Sequence, residues 1–224
     1  MEVVATAPVA EVETTRIKKY SSGIRLWHWL NAIIITGSLL TVFINSTVMK
    51  AWTNASLIAD KLKEKGVEVS EDQARSVAFA LSDKVWAVHT YLGYALTGLF
   101  LFRIMLEFFE LTDQKLIRKI KSARLLFLSL QEDRTSSRNE MLIKTLYAFF
   151  YVLLMVMVAT GLCLAFRESI PVLRKMHFIK EIHGFTMYLI IGFIIVHIAG
   201  VVTGEKRRHK GIVSDMINGG QMPR

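Results

Sequence analysis

Residues 182–203, IHGFTMYLIIGFIIVHIAGVVT, form an apolar stretch long enough to cross the roughly 30 Å hydrocarbon layer of a membrane as a helix. The stretch contains two histidines, His183 and His197, fourteen residues apart. In an α-helix, fourteen residues return a side chain to within about 40° of its starting direction, about 21 Å further along the axis. Ionisable side chains at membrane depth are costly and usually mark function. The stretch therefore predicts a membrane-spanning helix with two imidazoles on one face.

Three more apolar blocks precede this one in the chain, at about 26–45, 85–109 and 141–166. None of the blocks contains a proline, so we expect continuous helices. Lipid offers the backbone no hydrogen-bond partners, which helices do not need, and the short alternating segments of a membrane barrel are absent from the sequence. The sequence predicts an all-α fold, a transmembrane four-helix bundle in contact with membrane lipid.

The distribution of charge predicts the topology. The N-terminal arm, the connection between the second and third blocks, and the C-terminal tail together hold most of the 28 Lys and Arg residues. Cytoplasmic segments carry such an excess, so we expect both termini in the cytoplasm. Residues 1–20 do not resemble a signal peptide, and we expect them to form a mobile arm. The bundle should then cover 21–210, and a tail 211–224.

The net charge of +9 could indicate nucleic-acid binding, but the basic residues lie between and after the apolar blocks. Membrane topology explains that pattern better, and we expect no nucleic-acid partner. The single cysteine, Cys163, excludes an intrachain disulfide and a thiolate metal cluster.

The connection between the first two blocks carries a helix signal. Ser70 and Gln73 have the spacing of a capping box, and Ala74, Val77, Ala78 and Leu81 then recur on one helix face. We expect a short external helix leading into the second span. This helix is either a docking surface for a partner or a simple connector.

The predicted topology sorts four histidines into two levels. His28 and His197 fall near the inner surface, and His89 and His183 fall near the outer one. A single intramembrane histidine could be an interhelical hydrogen-bonding residue. Two level pairs instead suit two haems, each with an iron held by two imidazoles. Iron with both axial positions filled has no open site, which favours electron transfer.

Basic residues near these histidines could pair with haem propionates. Arg25 precedes His28 by three residues, and Lys180 precedes His183 by three, which puts each pair on one helix face. Arg103 follows His89 by fourteen residues and should face the bundle, as a propionate partner or part of a quinone pocket. The alternative is that Arg103 extends to the headgroups. For the other two histidines, His177 and His209, we expect a solvated surface role.

The strings RLWHW at 25–29 and HTYLGY at 89–94, with His183 and His197 at their fourteen-residue interval, resemble the bacterial cytochrome b561 and nickel–iron hydrogenase b-type cytochrome family. The resemblance covers about residues 20–210. It implies two noncovalent b-type haems in a bundle in the bacterial inner membrane, one shared by His28 and His197 and the other by His89 and His183. It also implies a quinone substrate and an iron–sulfur or other redox partner subunit at the outer face.

The sequence therefore predicts an electron-transfer subunit that connects an outer-face partner to the quinone pool, rather than a stand-alone catalyst. One alternative is a stand-alone quinol-linked cytochrome. Another is a histidine-lined proton or metal-ion transporter, although transporters more often show broken helices and intramembrane carboxylates.

Overall fold

The computed structural model describes residues 20–109, 134–207 and 211–220, and within these ranges the chain is helical, without strands. Residues 1–19 of the predicted arm, and His209, lie outside the described residues. The helices of the described ranges are α1 (Ser22–Thr47), α2 (Ala51–Lys63), α3 (Glu71–Phe109), α4 (Arg134–Ala165), α5 (Pro171–Arg174), α6 (Phe178–Arg207) and α7 (Ile212–Asn218).

Four of these helices are long and apolar enough to cross a membrane, judged by length and composition. They are α1, α3, α4 and α6, and each contains most or all of one predicted apolar block. The predicted all-α fold with four membrane helices is therefore confirmed, while the cytoplasmic placement of both termini stays a prediction. Large apolar side chains such as Ile33 and Phe43 are 66% and 60% exposed, as expected of surfaces that face lipid.

The helices pack as a chain of neighbours. Helix α1 packs on α3, α3 packs on α4, and α4 packs on α6. Leu154 of α4 is fully buried at the centre of the core, whose other buried members are Trp27, Ile35, Leu96, Phe150, Leu153, Val158 and Ile190. Within the described ranges, α6 makes little backbone contact with α1 or α3. We call this boundary, between α6 on one side and α1 and α3 on the other, the seam.

One end of the bundle carries a helical hairpin, formed by α2 and residues 71–84 of α3. Its centre consists of the buried residues Ala55, Ala74 and Ala78, whose small side chains let the two helices approach closely. Ser70 Oγ accepts from the Gln73 N–H at 3.2 Å, and Gln73 Oε1 accepts from the Ser70 N–H at 2.9 Å. The predicted capping box is therefore confirmed.

The hairpin differs from the sequence prediction in two respects. The external helix is continuous with the second span, since α3 runs without a break and no proline interrupts it. Val77 and Leu81, predicted on the buried face, are 50% and 48% exposed, because α2 covers only the alanine side of α3. Helix α2 itself was not predicted.

At the opposite end, α7 folds back and connects α6 to α1. The carboxylate of Glu205, on α6, accepts from the N–H groups of Gly211 and Ile212 at 2.7 and 2.8 Å, at the start of α7. A guanidinium N–H of Arg25, on α1, donates to the Ile217 carbonyl near the end of α7. An anion at the N-terminus of a helix and a cation at its C-terminus both stabilise its dipole. We call this the terminal end and the other the hairpin end.

Candidate functional site

The four membrane histidines form two pairs, and both pairs lie across the seam. The rings of His28 and His197 have centroids 6.2 Å apart and planes at 60°. The rings of His89 and His183 have centroids 6.4 Å apart and planes at 83°. The structure thus brings together the same residues that the predicted depths matched. We call the first the terminal pair and the second the hairpin pair; the role of either pair as iron ligands stays a prediction.

The spacing of the rings fits a shared metal atom. An imidazole nitrogen lies about 2 Å from a metal that it binds, and the ring centre lies about 1 Å further out. Two imidazoles on opposite sides of one iron therefore have centroids about 6 Å apart, close to the 6.2 and 6.4 Å of the two pairs. Because α6 packs sparsely against α1 and α3, a flat macrocycle would fit in the seam, between the two rings of each pair. The residues present fit bis-imidazole haem.

Hydroxyl groups hold the rings of the hairpin pair. The Nδ1 atom of His89 lies 2.9 Å from Thr41 Oγ1 on α1 and 3.3 Å from the Ser38 carbonyl oxygen. The Nδ1 atom of His183 lies 2.9 Å from Thr160 Oγ1 on α4. With Nδ1 engaged, each ring keeps Nε2 for another partner. Second partners of this kind orient the histidines of metal sites.

Helix α4 also makes room for the hairpin pair. A Cβ atom built on Gly161 would lie 3.3 Å from His183 Cε1, tighter than most contacts of real side chains. Sequence reasoning assigned no role to α4 because it has no membrane histidine. The sequence offers only the adjacent Thr160 and Gly161, a hydroxyl beside a glycine in an apolar span, which is common in membrane helices.

The terminal pair has aromatic neighbours instead. His28 meets Trp29 edge-on with centroids 5.4 Å apart, and His197 stacks on Phe193 at 5.8 Å and 10°. Within the described residues, no hydrogen bond to a ring nitrogen of His28 or His197 is found. The two pairs therefore match in spacing but differ in the groups that hold their rings.

Arg103 lies inside the bundle near the level of the terminal pair. Its side chain is only 6% exposed, and its Nε donates to the Tyr151 hydroxyl at 2.9 Å. The Tyr151 ring stacks on Trp27, the neighbour of His28, with centroids 5.6 Å apart. Trp27 Nε1 in turn donates to the Leu99 carbonyl at 3.0 Å. Arg103 is thus held in the interior, and its role toward a propionate or a quinone stays a prediction.

The other predicted cations lie near the ends of the bundle. Arg25 bonds to α7, as described above, while its Nε is buried without a partner among the described residues. An unpartnered donor one turn from His28 suits an anionic group. Lys180 is exposed, three residues before His183. His177 is also exposed, and no group of three or more His, Cys, Asp or Glu side chains gathers anywhere in the described ranges.

The family model for prokaryotic cytochrome b561 matches residues 19–219, nearly the whole chain. No curated protein and no solved structure shows significant similarity to the chain. The matched range includes all four membrane histidines.

Proposed function

Because the chain belongs to the prokaryotic cytochrome b561 family, a family of haem-binding membrane cytochromes, we propose that it holds two b-type haems and conducts electrons across the bilayer. A bound b-type haem supplies reversible one-electron chemistry at its iron. His89 and His183 hold one iron, and His28 and His197 hold the other. The observation that carries the proposal is the pair of centroid spacings, 6.2 and 6.4 Å, each suited to one shared iron.

The ligand set suits electron transfer rather than substrate activation. Two histidines would hold each iron and would leave it no open position for oxygen, so the bound group would supply electron transfer. Fourteen residues separate His183 from His197 on one helix, about 21 Å along its axis, and this separation supports one site toward each side of the bilayer. The four ligands therefore form a path from one surface to the other.

The excess of Lys and Arg near the terminal end favours a cytoplasmic position for that end, in a bacterial inner membrane. The hairpin then faces the outer compartment, where a redox partner subunit has an exposed surface to contact. Trp52 and Phe79 meet edge-on there, at 6.3 Å, and the Arg75 guanidinium lies 4.8 Å from the Trp52 ring centre. Aromatic and arginine side chains are enriched at protein interfaces.

We assign the quinone to the terminal end, where Arg103 and Tyr151 offer a buried cation and a phenol hydroxyl. Arg103 binds either a quinone oxygen or a haem propionate there. Arg25, with its unpartnered Nε, and Lys180 bind propionates of the terminal and hairpin sites respectively. Arg25 and Lys180 each lie one helical turn from the histidine of that site.

An absorption spectrum of the detergent-purified chain, before and after dithionite, tests the proposal. We expect sharp reduced bands of low-spin haem and two haems per chain by pyridine haemochrome assay. In vesicles loaded with ferricyanide, external dithionite, an anion that crosses lipid poorly, should reduce the trapped ferricyanide quickly only when the protein is present. A colourless preparation would refute the function, and one haem per chain would refute the two-site form.

Native purification and the same vesicles separate this proposal from its alternatives. A stand-alone quinol-linked cytochrome would elute from native membranes without a redox subunit. A histidine-lined transporter would move protons or metal ions in a protein without haem. Purification of the native complex would identify the partner by what elutes with it.

A further inference from the structure

The hydroxyl hydrogens of Thr41 and Thr160 are already committed to the backbone. Thr160 Oγ1 lies 2.7 Å from the Val156 carbonyl oxygen, and Thr41 Oγ1 lies 2.6 Å from the Ser38 carbonyl oxygen. Two oxygens at such distances need a hydrogen between them, and a carbonyl can only accept. Since a threonine hydroxyl has one hydrogen, neither threonine can donate to a histidine as well.

The histidines must therefore be the donors. The 2.9 Å contacts of His89 Nδ1 with Thr41 and of His183 Nδ1 with Thr160 are N–H···O hydrogen bonds in which the hydroxyl oxygen accepts. A neutral imidazole that carries its hydrogen on Nδ1 has its lone pair on Nε2. Both rings of the hairpin pair are thus fixed in the tautomer that binds iron through Nε2.

We propose that Thr41 and Thr160 are positioning residues that make the haem of the hairpin pair the harder of the two to reduce. An Nδ1–H that donates to an acceptor makes the imidazole a stronger base toward metal, and a stronger donor favours ferric over ferrous iron. The terminal pair shows no such hydrogen bond among the described residues. This inference rests on the proposed function, since it needs haem at both sites.

An electron shared between the two sites therefore favours the terminal one. With the hairpin facing outward, the chain is built to pass electrons inward.

The Thr160→Val variant tests the proposal, because it keeps the shape of the side chain and removes the acceptor. Loss of such outer partners typically costs 10- to 100-fold in metal affinity or activity. We expect about a tenfold rise in the reduced-to-oxidised ratio of the hairpin haem at fixed potential, which equals about 59 mV for one electron. An optical redox titration measures it, and haem content is determined on the same sample.

Three variants control for structural effects. Thr160→Ser keeps the hydroxyl and should titrate like the wild type. Thr186→Val is matched, because Thr186 is 3% exposed, lies one turn from His183 and, among the described residues, bonds to the Ile182 carbonyl alone; it should cause no shift. Thr41→Val should cause a smaller rise than Thr160→Val, because His89 retains the Ser38 carbonyl as an acceptor.

Wild-type potentials in Thr160→Val, with two haems bound, would overturn the inference and leave the proposed function intact. An equal shift in Thr186→Val would also overturn it. If Thr160→Val loses the hairpin haem, Thr41→Val decides, and an unchanged or lowered potential there refutes the proposal. A wild-type chain without haem would instead refute the proposed function itself.

Discussion

The His183→Ala variant is expected to bind one haem per chain where the wild type binds two. Only the imidazole of its partner, His89, would remain for that iron, and bis-imidazole ligation needs two histidines. The terminal pair, about 21 Å away along α6, should keep its haem. His89→Ala should give the same result, and the pyridine haemochrome assay gives the number directly.

Double variants make the pairing itself testable. His89→Ala with His183→Ala removes both ligands of one site and should still leave one haem. His28→Ala with His183→Ala removes one ligand from each site and should leave none. The control is His177→Ala, a change at an exposed histidine that should leave both haems bound. Equal haem content in the two double variants would contradict the assignment.

The second large effect is expected from Gly161→Val, a change on a helix without a ligand. A Cβ atom at this position already lies 3.3 Å from His183 Cε1, and the two γ-methyl groups of valine would displace the ring. An iron-bound imidazole cannot yield by several tenths of an ångström without losing its bond geometry. We expect loss of most of the hairpin haem and retention of the terminal one, measured as haem per chain and as the remaining low-spin spectrum.

Gly98→Val is the matched control for this change. It makes the same substitution inside a membrane helix, but a Cβ atom at Gly98 would meet nothing within 4 Å. Gly98 follows His89 by nine residues, which places it about half a turn around α3 from the ligand face. The Gly98→Val variant should bind two haems. Two haems with an unaltered spectrum in Gly161→Val would show that His183 does not need the space.

The membrane helices and the pairing of the histidines could be predicted because both depend on local periodicity. Apolar length gives the four spans, and the interval between His183 and His197 places two imidazoles on one face whatever surrounds them. Depth in the membrane then matches His89 to His183 and His28 to His197. The antiparallel order of the spans is enough for this, without knowledge of their packing.

The groups that hold the rings could not be predicted in the same way. Thr160 and Gly161 are ordinary residues for a membrane helix, where small and polar side chains commonly serve helix packing. Only the fold places them against His183. The contact of Arg25 with Ile217 was equally inaccessible, because its partner is a backbone carbonyl 192 residues further along the chain.

Helix α3 has a mechanical consequence. Its 39 residues make a helix about 58 Å long, and this helix carries both His89 and residues 71–84 of the hairpin. Thr41 and His183 belong to other helices. A partner that pushes the hairpin sideways would therefore tilt the whole of α3. Because α3 has no break between the hairpin and His89, the tilt would move His89 relative to Thr41 and His183.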